Sequence, residues 1–266
     1  MLSIGSPTRE PGGSIAPNVE FFEDFVDFTF GNIAGNDGTF NAGDSLAGDI
    51  SQTAGRGRWL QHTNSANENP SDFLTHAPSA TGGALRITPD DNALQLNLEV
   101  CDTGTSGDGA FIMAPNKRLI FESRFRVGAT TGAWLLGLAP ANTVSDGATN
   151  LYTQIATSNT IPHCVLCCTA SSAVQVSCQS GDVSADARIT TALTYAADTW
   201  TTVQFEWDGS SRVKFYVDGD VAYIQALAPT TTTAPLGVAL TPHIAWRPVS
   251  STATMDIDYV ACTFER

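Results

Sequence analysis

The sequence predicts an all-β chain: a two-sheet antiparallel β-sandwich with an extended N-terminal arm. Short runs rich in Val, Ile, Thr, Phe, Tyr and Trp recur along the 266 residues, separated by Gly, Pro, Asn and Asp. No stretch of a dozen residues places apolar side chains at helical spacing. Because so many strands need their faces and edges covered, two stacked sheets, as in a sandwich or jelly roll, are expected.

The N-terminal residues differ from the rest of the chain. Residues 1–18 contain three prolines and three glycines without apolar alternation, so we expect an extended arm there and one domain over residues 19–266. The opening residues lack a basic segment followed by an apolar one, which predicts no secretory signal. No apolar run approaches the roughly 20 residues of a membrane span.

The predicted strands follow one another through the domain. They are 59–62, 84–88, 93–100, 111–113, 119–127, 134–138, 151–156, 163–169, 174–178, 201–207, 212–217, 221–225, 242–246 and 254–264. The clearest is 119–127, in which every second side chain is expected to point inward: Leu119, Phe121, Ser123, Phe125 and Val127. Asp208-Gly209 and Asp218-Gly219 predict tight hairpin turns, because glycine readily adopts positive φ.

The charge balance excludes two classes of partner. The formal net charge is −14 and the chain has only two lysines, Lys117 and Lys214. Nucleic-acid binding depends on clustered Lys and Arg, so we expect no nucleic-acid partner. The same acidity disfavours binding to an anionic membrane.

Six cysteines are present, four of them between Cys164 and Cys178. Cys164-x-x-Cys167, with His163 and Cys178 nearby, resembles half of a zinc knuckle. A separation of three in a strand, however, points Cys164 and Cys167 to opposite faces. Buried, reduced thiols are therefore favoured over a zinc site. The sequence does not assign a disulfide among these cysteines, but it allows one.

Three segments carry a recognisable pattern: DTWTTVQFEWDG at 198–209, VKFYVDG at 213–219 and MDIDYV at 255–260. Together they resemble the concanavalin A-like lectin/glucanase jelly rolls, including laminarinase-like and laminin-G-like domains, over roughly residues 19–266. The resemblance implies a concanavalin A-like jelly roll. By themselves these motifs indicate the fold and not a catalytic or binding site.

The catalytic pattern of the glucanases in this family is missing. They carry E-x-D-x-(x)-E on one strand, and retaining hydrolysis needs two carboxyl groups about 5 Å apart. None of the eight glutamates begins this motif: Glu122 is followed two residues later by an arginine, and Glu206 by an aspartate at a turn. Glu20 and Glu23 are three apart and face opposite sides of a strand. We predict no catalytic residues and a protein that is not an enzyme.

Two other candidate binding sites, one for calcium and one for sugar, also have a purely structural explanation. Asp256 and Asp258 share a strand face and could hold calcium with Glu23 or Asp24, but a solvated outer face beside arginine or water is favoured. Trp134, Trp246 and Tyr152 could form a sugar-stacking platform, but core packing is favoured for the tryptophans. We therefore predict no cofactor and no metal ligands.

The histidines show no catalytic signature. His62, His76, His163 and His243 occur without a nucleophile elbow, so a Ser-His-Asp triad is not indicated. Each is interpreted as a surface residue or a core residue with its hydrogen bonds made.

Three functions remain: a structural protein of a virus particle, a carbohydrate-binding module, and an unusual polysaccharide enzyme. The first is favoured because Phe21-Phe22-Glu23-Asp24-Phe25, followed by a Gly/Asn-rich stretch up to Trp59, resembles virion proteins of tailed bacteriophages. We expect a capsid decoration protein, made in the host cytoplasm and placed on the virion surface. Its partners would be major capsid or other virion subunits and further copies of itself, with a glycan as an additional candidate.

Overall fold

The computed structural model describes residues 18–23, 25, 59–63, 74–77, 83–88, 96–100, 111–140, 161–169, 171–181, 188–227, 234–248 and 253–265. The predicted strand 151–156 and the predicted arm, apart from Asn18, lie outside these residues. Within them no residue is helical, as the sequence predicts.

Sixteen strands form in the described residues. They are β1 (Asn18–Glu23), β2 (Trp59–Thr63), β3 (Leu74–His76), β4 (Leu85–Ile87), β5 (Leu96–Val100), β6 (Phe111–Ile112), β7 (Leu119–Val127), β8 (Ala133–Ala139), β9 (His163–Thr169), β10 (Ala173–Gln179), β11 (Ile189–Thr194), β12 (Thr201–Trp207), β13 (Arg212–Val217), β14 (Asp220–Ala226), β15 (Ala239–Arg247) and β16 (Met255–Glu265).

These strands make two antiparallel sheets, which confirms the predicted sandwich. The first sheet has the order β14-β13-β12-β7-β16-β4-β3, with β1 paired to β16. The second has the order β11-β10-β9-β8-β15-β5-β2, with β6 paired to β15. At one edge, the Gln225 amide of β14 donates a hydrogen bond of 2.9 Å to the Cys178 carbonyl of β10, which ties the two sheets together.

The core lies between the sheets and is dominated by aromatic rings. The largest fully buried side chains are Trp134, Trp207, Trp246, Phe25, Phe111, Phe121, Phe125, Phe205 and Phe215. Strand β7 alternates strictly between buried and half-buried positions, which confirms the predicted inward set of Leu119, Phe121, Ser123, Phe125 and Val127. Each buried side chain of this size contributes roughly 1.5–3 kcal/mol relative to an exposed one.

The second predicted hairpin turn forms as a two-residue turn, whereas the first hairpin closes through the four residues 208–211. Asp218 and Gly219 have φ values of 51° and 88°, and they join Val217 of β13 to Asp220 of β14. Positive φ at both central positions matches the right-handed twist of the flanking strands. The Asp-Gly pair therefore sets the register of this hairpin locally.

Two strands, β3 and β11, were not predicted, and β1 is absent from the predicted list although Glu20 and Glu23 were placed on a strand. Strand β3 has only three residues, too few for a periodic signal, and it forms because Leu74–His76 pairs with β4. Strand β11 lies at the edge of the second sheet, and its side chains do not alternate cleanly between buried and exposed. Both strands depend on pairing with a neighbour rather than on their own pattern.

Candidate functional site

Trp134 and Trp246 do not form the sugar-stacking platform that was weighed against core packing. Trp134 and Trp246 are 0% and 1% exposed. The Trp134 ring lies between Phe125, with centroids 4.5 Å apart, and Tyr195, at 5.6 Å. Both tryptophans are core residues, as the favoured alternative held, and Tyr152 lies outside the described residues. A ligand therefore has no access to either indole.

The cysteines do not form a zinc site in the described part of the chain. Cys164 lies in the core between the sheets, whereas Cys167 lies in a separate apolar cluster, which confirms that they point to opposite faces. Cys178 is directly opposite Cys164 on the neighbouring strand, and the five described cysteines are free thiols. Burial, and secondarily the Cys178 thiol, raises the pKa of Cys164. A thiol held protonated is a poor metal ligand.

The two aspartates proposed for calcium are bound by arginines. The Asp256 carboxylate, 2% exposed, accepts hydrogen bonds from Arg86 at 2.7 and 2.9 Å and from Arg126 at 3.1 and 2.5 Å. Asp258 accepts one from Arg124 at 3.0 Å. The arginine partners of the favoured alternative are present, but the face is not solvated at Asp256, which is buried. The side chains of Glu23 and Asp24 lie outside the description, and the described residues contain no group of three potential metal ligands.

Trp200 joins this cluster from the residue before β12. The guanidinium carbons of Arg124 and Arg126 lie 5.2 and 4.8 Å from its ring centroid. Hydrogen bonding to Asp256 raises the pKa of Arg86, in spite of partial burial. On the outer face of the first sheet, the arginines thus bind the aspartates through charge-assisted hydrogen bonds and Trp200 through cation–π contacts.

The outer face of the first sheet also carries a continuous row of side chains, here called the first-sheet track. Cross-strand pairing places its members opposite one another in the order Val221, Tyr216, Gln204, Glu122, Ala261 and Phe22. Val221 and Phe22, at its two ends, are 53% and 50% exposed. The four members between them are half-buried. A second row of equal length runs beside the track on the same face: Ile224, Lys214, Glu206, Ile120, Thr263 and Glu20.

Aromatic and acidic groups flank the track. Tyr259 stacks against Phe22 with ring centroids 5.9 Å apart, and its hydroxyl donates a 2.5 Å hydrogen bond to Glu122. Burial, followed by this contact with Glu122, raises the pKa of Tyr259. The Tyr216 hydroxyl donates to Glu206 at 3.4 Å, and Arg118 forms an ion pair with the same carboxylate at 2.9 Å. Sequence analysis considered Glu122 and Glu206 only in the search for catalytic carboxylates and Phe22 only as part of the virion-like segment, and it gave Tyr216, Tyr259 and Arg118 no role in a site.

The outer face of the second sheet is buried where β8, β9 and β15 lie side by side. Leu135, Val165, Cys167 and Ala245 belong to a buried apolar cluster there. His163, also fully buried, makes contacts of 2.7 Å from Nδ1 to the Ile161 carbonyl and 2.8 Å from Nε2 to the Ser177 hydroxyl. Since a carbonyl only accepts, Nδ1 donates and Nε2 accepts from Ser177. His163 is thus a satisfied core residue, as interpreted.

Of the remaining histidines, only His243 has a described side chain. His243 is fully buried on β15, and cross-strand pairing places Glu99 of β5 directly opposite it. The side chains of His62 and His76 lie outside the description. Among the described residues no helix is long and apolar enough to cross a membrane.

Comparison with known proteins identifies the fold. No protein family model and no curated protein matches the chain. Among solved structures, SCLam, a non-specific endo-β-1,3(4)-glucanase from family GH16, is 12% identical with a TM-score of 0.51, covering 97% of this chain and 95% of that chain. The potassium-bound carbohydrate recognition domain of Emp46p is 13% identical with a TM-score of 0.51, covering 84% and 97%.

A third structure comes from a study of the endo-acting O-glycanases that human gut microbiota express to initiate mucin breakdown. It is 10% identical with a TM-score of 0.52, covering 91% of this chain and 97% of that chain. At such identities the likeness concerns the fold alone. The chain has the concanavalin A-like fold of lectins and glucanases, as its sequence resemblance implies.

Proposed function

We propose that this protein binds carbohydrate without hydrolysing glycosidic bonds. The fold is one that both carbohydrate recognition domains and glucanases use, so the decision between them depends on the carboxylates. Hydrolysis requires two carboxyl groups flanking the bond, one of which must be protonated to act as the acid. The observation that carries the proposal is that the carboxylates of the described outer faces are already bound.

Each of these carboxylates has a hydrogen-bonding partner on the first sheet. Arg118 pairs with Glu206, Arg124 with Asp258, and both Arg86 and Arg126 with Asp256. A carboxylate whose oxygens already accept hydrogen bonds from a guanidinium is not free to contact a glycosidic oxygen. Glu122 accepts from Tyr259. On the second sheet, the described outward side chains of β8, β9, β10, β11 and β15 include no carboxylate.

A paired assay tests this proposal. The full chain is applied to an array of plant, bacterial and mucin-type glycans and, separately, incubated with β-glucans while reducing ends are measured. Binding to at least one glycan class without release of reducing ends is expected. Release of reducing sugar contradicts the absence of catalysis, and a failure to bind any glycan contradicts carbohydrate binding.

We further propose that the protein is a structural component of a virus particle, a capsid decoration protein on the virion surface. The virion-like segment at Phe21–Phe25 supports this. In the structure, Phe21 and Phe22 lie on β1, which pairs with β16 from Asn18 opposite Glu265 to Glu23 opposite Val260. The arm therefore joins the folded domain at a sheet position. An arm that orders on contact with a neighbouring subunit adds interface, and capsid sites favour symmetric oligomers.

Particle association tests the virion proposal. The protein is expected to co-purify with a major capsid protein at a fixed ratio. Deletion of residues 2–17 is expected to abolish this attachment while thermal unfolding of the domain is unchanged. Attachment by the truncated chain at the full-length ratio contradicts a role for the arm, and absence of the full-length chain from particles contradicts the proposal as a whole.

A further inference from the structure

We propose that Cys164 and Cys178, free thiols in the structure, form a disulfide across strands β9 and β10 when the chain folds in the presence of an oxidant, and that this bond stabilises the fold. The two residues are directly opposite each other in the antiparallel pairing of these strands. Directly opposed Cα atoms of an antiparallel pair lie about 4.5 or 5.5 Å apart, and a disulfide can bridge either distance. The bond therefore needs no change in the register of the sheet.

The two cysteine side chains point the same way. Cys164 and Cys178 are 0% and 1% exposed, and both belong to the core cluster between the sheets. Burial, followed by a hydrogen bond between the two thiols, raises the pKa of Cys164. The sulfur atoms are thus already in contact in the reduced protein. Position, direction and contact all fit one bond between them.

None of the other described cysteines has a cysteine directly opposite it. Cys167 is opposite Gln175 and lies in the apolar cluster on the outer face of the second sheet. Cys262 belongs to β16 of the first sheet. Cys168 points into the same core as Cys164, but four residues along one strand place it about 13 Å away. The pairing of the two strands therefore selects a single disulfide among the described cysteines.

The oxidant in this proposal is a small disulfide, such as oxidised glutathione. The thiolate of one cysteine attacks its S–S bond, which forms a mixed disulfide and releases one glutathione thiolate. The second cysteine then attacks the protein sulfur of the mixed disulfide, so that the bond between Cys164 and Cys178 forms and the second glutathione leaves. In total, the two protein thiols lose two electrons and two protons, and the small disulfide takes up both.

Burial determines when this exchange occurs. The thiolate is the attacking form of a cysteine, whereas the folded Cys164 has a raised pKa and no exposed surface. Glutathione therefore reaches the pair during folding, before the two sheets close over the core. Once the sheets have closed, the same burial shields the bond from reductants. The redox condition at the time of folding is thereby retained in the folded protein.

Refolding in two redox buffers tests the pairing. The full chain is unfolded with reductant and refolded either in reduced glutathione or in an excess of oxidised glutathione. Free thiols are then blocked with N-ethylmaleimide, and the chain is digested without reduction. Chymotryptic cleavage after Leu166 separates Cys164 from the cysteines that follow it, so mass spectrometry detects a linked pair of peptides. The linked pair is expected after oxidised refolding, and its absence there overturns the proposal.

Two variants identify the partner of Cys164. Cys178→Ala is expected to abolish the linked pair of peptides, whereas Cys168→Ala, the matched control from the same core, is expected to retain it. Circular dichroism in reduced glutathione establishes that each variant is folded, and the wild-type result does not depend on either. A linked pair that persists in Cys178→Ala, or that disappears in Cys168→Ala, contradicts the assigned partner.

Two further measurements address the role and the timing of the bond. Oxidised wild type is expected to unfold about 5–10 °C above reduced wild type, because the bond constrains a loop of about 15 residues in the unfolded chain. Cys178→Ala should show no such difference, and equal unfolding temperatures of the two wild-type forms contradict the stabilising role. Oxidised glutathione added to the folded, reduced wild type is expected to give no linked pair. Rapid linkage there contradicts formation during folding.

Discussion

Trp246 lies so close to Gly132 that no side chain fits between them. A Cβ atom on Gly132 would be 2.3 Å from the Cη2 atom of the Trp246 ring and 2.6 Å from its Cζ3 atom. The ring is 1% exposed and belongs to the core between the sheets, so it cannot swing aside. Glycine at position 132 is required by packing against the tryptophan.

Gly132→Ala is therefore expected to lower the free energy of unfolding by about 1–3 kcal/mol, the usual cost of overpacking a core. Urea unfolding followed by tryptophan fluorescence measures it. Gly128→Ala is the matched control, because a Cβ there meets Thr254 at an ordinary 3.4 Å. Equal stability of the two variants would show that the ring can move.

Asp256 is expected to be far more important for stability than Asp258. Asp256→Asn leaves two arginines facing a neutral amide in a site where the carboxylate was 2% exposed. The substitution should therefore lower the free energy of unfolding by roughly 3 kcal/mol. The pair of Asp258 with Arg124 is 29% and 43% exposed, so Asp258→Asn should cost under about 1 kcal/mol. Chemical denaturation of both variants provides the comparison, and similar losses would contradict the difference in burial.

The turn at Asp208 is expected to make a pH-dependent contribution to the free energy of unfolding. Its carboxylate accepts hydrogen bonds from the backbone N–H groups of Ser210, Ser211 and Arg212 at 2.7, 2.9 and 3.1 Å. Although slight burial opposes the charge, these bonds lower the pKa of Asp208 below its usual value. A depressed folded-state pKa stabilises the protein above the unfolded pKa of about 3.9, and the contribution is lost as the pH falls through the folded value.

Asp208→Ala is expected to cost about 0.5–1 kcal/mol at neutral pH, a modest value because the carboxylate is exposed to solvent. The difference from wild type should shrink when unfolding is measured well below pH 3.9. Asp208→Asn keeps an acceptor oxygen and should therefore lose less stability than Asp208→Ala. A wild-type–alanine difference that is the same at neutral and acidic pH would rule out the charged form as the source.

Thiol labelling tests the buried cysteines. Burial raises the pKa of both Cys164 and Cys262, which keeps them protonated and shielded from alkylating reagents. Iodoacetamide treatment at mildly alkaline pH followed by peptide mass mapping should leave both unmodified in the native protein. The same treatment in denaturant should modify both. Rapid native modification of Cys262 would contradict its burial.

Much of the strand pattern follows from sequence because it is local. The bounds of Leu119–Val127, Thr201–Trp207 and Arg212–Val217 agree with the prediction from alternation alone. The Asp218-Gly219 turn is equally local, because two residues with positive φ determine the hairpin. The predicted opposite facing of Cys164 and Cys167 is likewise a consequence of strand geometry.

The candidate site could be predicted only in part. A tryptophan in the sequence looks the same whether it stacks on a sugar or fills a core. The packing of Trp134 against Phe125 and Tyr195, and of Trp246 against Gly132, shows that both lie in the core. Asp256 and Asp258 were read as a carboxylate pair on one face. A shift in the pairing between β16 and β7 at this point, and an arginine partner for each, decided their role.

By itself, then, the sequence determined the all-β class, the main strands, the hairpin turns and the missing hydrolase motif, since each is written within a few neighbouring residues. Tertiary structure decided which outer face stays open and which residues meet on it. Arg86 and Asp256 are 170 residues apart, and the track unites six strands drawn from the whole chain. Pairing over such separations depends on the packing of complete sheets, which no local pattern encodes.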